Sequence, residues 1–169
     1  MRATSLYLLR HGDAGEKRSW KGNDAERPLS PSGVRRTKAI ALYLARAAIR
    51  PARILTSPYA RALQTADIVA GTLEMRELVI VDERLVPGFD ADALRAILAE
   101  NPAEKLMLVG HDPSFSNVIA KVIGGGSIVL RKGGLARLDI EDITTPSGRL
   151  VWLATPSLLV NQPESVVEP

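Results

Sequence analysis

His11 and His111 are the only histidines in this 169-residue chain, and it contains no cysteine. The missing thiols remove disulfides, thiolate zinc sites and cysteine-nucleophile chemistry together, so any covalent catalysis must use another side chain. One isolated histidine at a strand end is more often a structural residue that hydrogen-bonds a loop. The pair carries more, because each immediately follows an apolar run that reads as a buried strand: His11 comes after Arg10 and His111 after Gly110. Two such residues at carboxyl ends of parallel strands converge on the sheet edge where α/β folds bind ligands.

Three chemistries compete for that edge. Hydrolytic zinc normally takes three protein ligands, and no histidine or cysteine is left for the third. Asp13 and Asp112 adjoin the histidines and could fill in, but Arg10 and Arg61 at the same edge oppose a cation. A phosphoryl group suits the arginines, since a guanidinium donates two hydrogen bonds to phosphate oxygens and keeps its charge throughout. The same positive charge favours neutral imidazole, the form with a lone pair free to attack phosphorus. The third possibility is a non-enzymatic module that captures a phosphorylated segment through its arginines.

The elements that must position these residues are legible as an alternation of strands and helices. Ser5–Arg10 reads as a strand, and residues 12–29 as an irregular charged loop. Ser30 with Pro31 predicts a helix start that ends before Pro51, with Ile40, Tyr43, Leu44 and Ala47 at helical spacing. A strand over Arg53–Thr56 leads through Ser57-Pro58 into a helix over 59–73, with Leu63, Ala66, Ala70 and Leu73 on one face. Strands are expected at Leu78–Val81 and Leu106–Val109. Asp90 predicts a cap for a helix through Ala99, and Asp112 with Pro113 a cap for one reaching Ile123. Leu135–Ile140 and Arg149–Leu153, separated by Pro146-Ser147-Gly148, predict an antiparallel hairpin. The expectation is one α/β domain over residues 1–155, a mostly parallel sheet with helices on both faces and an antiparallel edge, followed by a tail over 156–169.

Composition agrees with that class. Hydrophobic residues make up 46% and charged ones 24%, a globular mix, and this length buries roughly 70% of the unfolded surface. No run approaches a membrane span and no cleavable signal is visible after Met1, so the expected compartment is the cytosol. The net charge of +3 comes with only 4% aromatics and no basic stripe, which argues against nucleic acid. Arg35-Arg36 and Arg131-Lys132 read as solvated faces whose sign suits an anionic substrate or an acidic partner. Trp20 and Trp152 read as packing residues, with Trp20 alternatively a cover for the pocket. The glycine clusters 124–126 and 133–134 lack P-loop spacing and read as a helix end and a turn.

Leu9-Arg10-His11-Gly12-Asp13-Ala14 resembles the signature of the histidine phosphatase superfamily, whose fold is phosphoglycerate-mutase-like. Arg27-Pro28-Leu29-Ser30 with Gly33, Ser57-Pro58-Tyr59-Ala60-Arg61-Ala62 with Gln64-Thr65-Ala66, and Val109-Gly110-His111 with Pro113 follow in the family's order. Short length and the tight motif spacing are similar to the SixA branch, the phosphohistidine phosphatases. The resemblance implies that His11 attacks phosphorus and that Arg10, Arg61 and His111 surround the phosphate oxygens, with no metal and no cofactor. The substrate it implies is a phosphorylated protein or a small phosphorylated molecule. Arg27 either touches phosphate or anchors the long loop. Larger members carry a proton-donating acid on an insertion after the third strand, whereas only Asp82 to Phe89 lie here before the next helix. Asp13 and Glu83 are the nearest candidates, each equally readable as a loop or surface carboxylate. Phosphohistidine would tolerate a weakly supplied acid, because imidazole leaves more readily than an alcohol.

Overall fold

The computed structural model describes residues 4–160. Its frame is a six-stranded sheet made of β1 (Thr4–Arg10), β2 (Arg53–Thr56), β3 (Val79–Val81), β4 (Lys105–Gly110), β5 (Leu135–Asp142) and β6 (Ser147–Ala154). The spatial order is β3-β2-β4-β1-β5-β6, with the first four strands parallel and β5 and β6 antiparallel. This is the mostly parallel sheet with an antiparallel edge that the sequence predicts.

The central strands are apolar on both faces because helices cover both. Leu6 and Leu8 of β1, with Leu106 and Leu108 of β4, pack under α3 (Ala91–Glu100) and α4 (Ser114–Val122). Tyr7 and Leu9, with Met107 and Val109, pack under α1 (Pro31–Arg46) and α2 (Ala60–Leu73). Alternation within a continuous apolar run thus splits one strand between two cores, which is why these strands carry no amphipathic pattern.

Helix starts follow their capping chemistry. Ser30 accepts the Gly33 amide at 3.0 Å and Pro31 occupies the first turn of α1. Asp90 accepts the Ala93 amide at 2.9 Å before α3. The start of α4 differs from expectation. Its first helical residue is Ser114, Pro113 is the capping residue, and Asp112 Oδ1 accepts from the Ser116 amide and hydroxyl.

Three further readings need correction. The buried face of α2 is Arg61, Ala62, Thr65, Ala66, Val69, Ala70 and Leu73, and Leu63 is exposed. Small residues line this face because α1 packs directly beside it. Ala47, assigned to the apolar face of α1, caps that helix and is likewise exposed. The packed fold also does not end at residue 155. Pro156–Val160 form a short helix, α5, against α1, with Leu159 buried in the α1/α2 core. The remainder of the expected tail lies outside the described residues. The long loop after β1 holds two 3-10 turns, Lys17–Ser19 and Asp24–Glu26.

Candidate active site

Sheet register brings the two histidines together. Parallel pairing of β1 with β4 sets Arg10 opposite Gly110, so His11 and His111 leave adjacent strand ends side by side. Their ring centroids are 5.2 Å apart. The chain leaves β1 toward the α1 face and leaves β4 toward the α4 face, which opens a crevice between these neighbours. On the far side of β4, pairing of Thr56 with Val109 puts Ser57 beside His111, and α2 then begins with Arg61 in its first turn.

His11 is 7% exposed and its ring is fixed at both nitrogens. Nδ1 lies 2.7 Å from the Gly12 carbonyl, an acceptor only, so Nδ1 carries the proton and Nε2 the lone pair. That lone pair accepts from Arg61 Nε at 3.2 Å. Burial, reinforced by the positive surroundings of Arg61 and Arg10, pushes the imidazole pKa down to about 3. His111 is 2% exposed, and burial and the Arg61 charge push it down to about 4. Both rings are therefore neutral at physiological pH.

The arginines converge from separate elements. Arg10 donates from Nη1 to the Leu130 carbonyl at 2.8 Å, with Asp112 Oδ2 3.9 Å away. Arg61 donates to the Asp24 carbonyl at 2.8 Å and to its carboxylate at 3.2 Å, and its guanidinium lies over the Tyr59 ring. Among the described residues only two buried side-chain polar atoms have no partner, Arg10 Nε and His111 Nδ1, and both belong to this cluster. Buried orphans cost stability, so their concentration at one place marks a site shaped for a ligand that supplies the missing bonds.

Backbone approaches hold the cluster rigid. Thr65 Oγ1 accepts the Gly12 amide at 3.1 Å while donating to the Arg61 carbonyl at 2.7 Å, tying the residue after His11 to α2. Gln64 accepts the Leu29 amide at 2.8 Å. A side chain at Gly33 would collide with the Asp13 carbonyl, and one at Gly12 would come 2.6 Å from Thr37 Oγ1, so both glycines are needed for the close passage of loop and helix.

The remaining sequence candidates divide by their contacts. Arg27, 9% exposed, bonds Asp24 Oδ1 at 2.9 Å and the carbonyls of Ala14 and Gly15, all within the loop after β1. Asp13 is bonded by Lys132 at 2.8 Å, Ser30 at 2.7 Å and the Gly15 amide, and these push its pKa down to about 2. It braces the loop as a carboxylate and is a poor proton donor. Glu83 is exposed on a 3-10 turn directly after β3, and among the described residues no side-chain hydrogen bond or ion pair engages it. Trp20 folds back on its own loop, donating to the Asn23 carbonyl at 2.9 Å, and Trp152 packs on Tyr7. Asp24 was not visible from sequence. The one signal for it is its i, i+3 spacing to Arg27 inside an otherwise patternless loop. No group of three or more His, Asp or Glu among the described residues is arranged to hold a metal ion, and none of the described helices is long and apolar enough to cross a membrane.

Comparison with known proteins agrees with this geometry. A family model described as histidine phosphatase superfamily (branch 1) matches residues 6–86, which carry Arg10, His11 and Arg61. An uncharacterized protein of Picosynechococcus sp. is 36% identical over 139 residues, 79% of this chain and 83% of its own length. The phosphohistidine phosphatase SixA of Escherichia coli is 27% identical over 156 residues, 89% of this chain and 93% of its own. A structure of the protein histidine phosphatase SixA complexed with tungstate superposes with a TM-score of 0.80 at 24% identity, covering 92% of this chain and 99% of that one. The sheet order and its antiparallel edge are thus those of a phosphoglycerate-mutase-like fold. With its neutral histidine pair set among arginines on that fold, the chain belongs to the histidine phosphatase superfamily, beside the SixA-like members.

Proposed function

We propose that the protein is a metal-independent phosphohistidine phosphatase that transfers the phosphoryl group to His11 and then to water. The observation that carries this reading is the state of His11: a buried neutral ring whose Nδ1 proton is committed to Gly12 and whose Nε2 lone pair, among the described residues, meets Arg61 alone.

In the first step the Nε2 lone pair forms a bond to phosphorus as the bond to the substrate nitrogen breaks, its electron pair staying on the departing imidazole. Ring positive charge developing on His11 is taken up by the Gly12 carbonyl through Nδ1–H. Arg61 exchanges Nε2 for a phosphate oxygen, and Arg10 Nε and His111 Nδ1 gain partners there. The three groups stabilise charge on the equatorial oxygens as phosphorus moves in line between donor and acceptor. In the second step water forms the new bond to phosphorus and the bond to Nε2 breaks, restoring the neutral ring and releasing phosphate.

Substrate choice turns on the proton donor. An alcohol leaving group needs an acid, whereas Asp13 is held ionised and the nearest other candidate, Glu83, is solvent-exposed. A substrate histidine carries no such requirement. The small insertion-free loop between β3 and α3 also leaves room for a protein substrate. Incubation with a phosphohistidine-bearing protein and, separately, with p-nitrophenyl phosphate, both with chelator present, tests the reading. Release from phosphohistidine at least about tenfold faster is expected, and His11→Asn should abolish it. A preference for the ester would overturn the phosphohistidine assignment and direct attention to Glu83.

A further inference from the structure

We propose that Ser57 is a positioning residue that fixes the tautomer of His111, donating its hydroxyl proton to Nε2 so that Nδ1–H is the atom His111 offers to an oxyanion. The proposal deepens the phosphatase reading and rests on it only for the consequence to turnover.

The argument is a count of protons around one oxygen. Ser57 is fully buried, and its Oγ accepts the Tyr59 amide at 3.2 Å and lies 2.8 Å from His111 Nε2. A hydroxyl owns one proton and must place it on an acceptor. Among the described residues no other acceptor pairs with Ser57 Oγ, so Nε2 is the partner left for it. The opposite assignment, with Nε2–H donating to Oγ, would give that oxygen two incoming protons and leave its own buried without a partner. It would also turn a bare lone pair at Nδ1 into a ligand site meant for anions.

With Ser57 donating, every atom has a use. Nε2 is filled, and Nδ1 holds the ring's one proton, buried and unpartnered beside His11 with Arg10, Arg27 and Arg61 acting on the ring. A neutral ring can then donate to phosphate without an added positive charge in a pocket already held by arginines. Register explains why a serine at this place can do so: Ser57 follows β2 directly, and its amide donates to the Val109 carbonyl of β4 at 3.0 Å, two residues before His111. The serine is therefore fixed to the same strand that delivers the histidine.

Long-range 1H–15N correlation spectra of the 15N-histidine-labelled full chain at about neutral pH read the tautomer directly. The expected spectrum has His111 protonated at Nδ1 with a pyridine-like Nε2, and Ser57→Ala shifts it toward the other tautomer or a mixture. The same variant should lose at least about tenfold in kcat/KM and in vanadate affinity, a part of the effect of losing one oxyanion donor. Ser57→Ala should add nothing further in a His111→Ala background. Ser57→Thr, which keeps the hydroxyl, should restore the spectrum, and it stands in if Ser57→Ala does not fold. A wild-type His111 protonated at Nε2 would overturn the proposal without any variant. If the tautomer is as expected but no phosphate is released from any substrate, the phosphatase reading fails and the role of Ser57 stands.

Discussion

Replacing His11 with Asn removes a buried group that must stay deprotonated in the folded protein, and the effect on stability can be calculated from the site. The folded pKa values are about 3 for His11 and about 4 for His111, against 6.5 for the exposed side chain. Because both are depressed, the unfolded chain binds more protons below 6.5, and stability falls as pH drops through that value. Between pH 6.5 and about pH 5 each histidine stays neutral only in the folded state, which costs about 2 kcal/mol per residue. The wild type should therefore lose about 4 kcal/mol on going from about pH 7.5 to about pH 5, and His11→Asn about 2 kcal/mol. Carboxylates contribute little in this window, since Asp13 at about 2 and the ordinary aspartate value of 3.8 lie below it. Urea unfolding at the two pH values, with the m-value checked for constancy, measures the difference. If His11→Asn shows the wild-type pH dependence, His11 is not held neutral by burial and the account of its lone pair fails. The catalytic counterpart follows from the same numbers: the acid limb of kcat/KM, which reports the free enzyme, should lie below about pH 5.

Three further outcomes are expected. Arg61→Ala removes a group that holds the His11 lone pair and is placed to bind phosphate, and should cut kcat/KM by about 10²–10³ and weaken vanadate inhibition; unchanged inhibition would remove Arg61 from the pocket. Asp13→Asn breaks the bond to Lys132 but no proton transfer, so it should lower stability by about 1 kcal/mol in thermal unfolding while kcat and the basic limb of the pH profile stay put. Glu83→Gln should leave phosphohistidine turnover within about twofold and, if any ester is hydrolysed, slow that reaction more.

Much of the architecture was legible because its determinants are local. The runs Leu6–Leu9 and Leu106–Val109 are apolar without alternation, which reads as strands buried on both faces, and Ser30-Pro31 and Asp90 start helices by their own chemistry. Where the reading slipped, packing between elements decided. Leu63 fits a helical stripe as well as Ala62 does, but the closeness of α1 selects the smaller residues for burial. The expected tail over 156–169 instead starts as a helix, because a proline suits a first helical turn and Leu159 has core to reach. That Arg10, His11, Arg61 and His111 lie at one sheet edge was readable from strand ends and motif order. The bonds between them were not, because Arg61 meets His11 across 50 residues and only the order of β2, β4 and β1 in the sheet brings them together. Asp24 sits in a loop whose only signal is its i, i+3 spacing to Arg27, and its other partner, Arg61, is brought to it by tertiary structure.

Asp24 also explains how so much positive charge survives beside two buried rings before phosphate arrives. Its carboxylate faces Arg27 at one oxygen and Arg61 at the other, and its carbonyl takes a third bond from Arg61. These contacts hold its pKa below the ordinary carboxylate range, against the opposing effect of burial, so it is an anion whenever the arginines are cations. The carboxylate thus compensates the Arg61 charge while its backbone carbonyl fixes the guanidinium's direction. An arriving phosphoryl group needs only the Nε and Nη2 positions, and the carbonyl bond can persist while the carboxylate yields Nη2. The loop therefore holds Arg61 pointing at His11, and in the proposed reaction the reorganisation at Arg61 would be confined to exchanging the His11 lone pair and one carboxylate oxygen for phosphate oxygens.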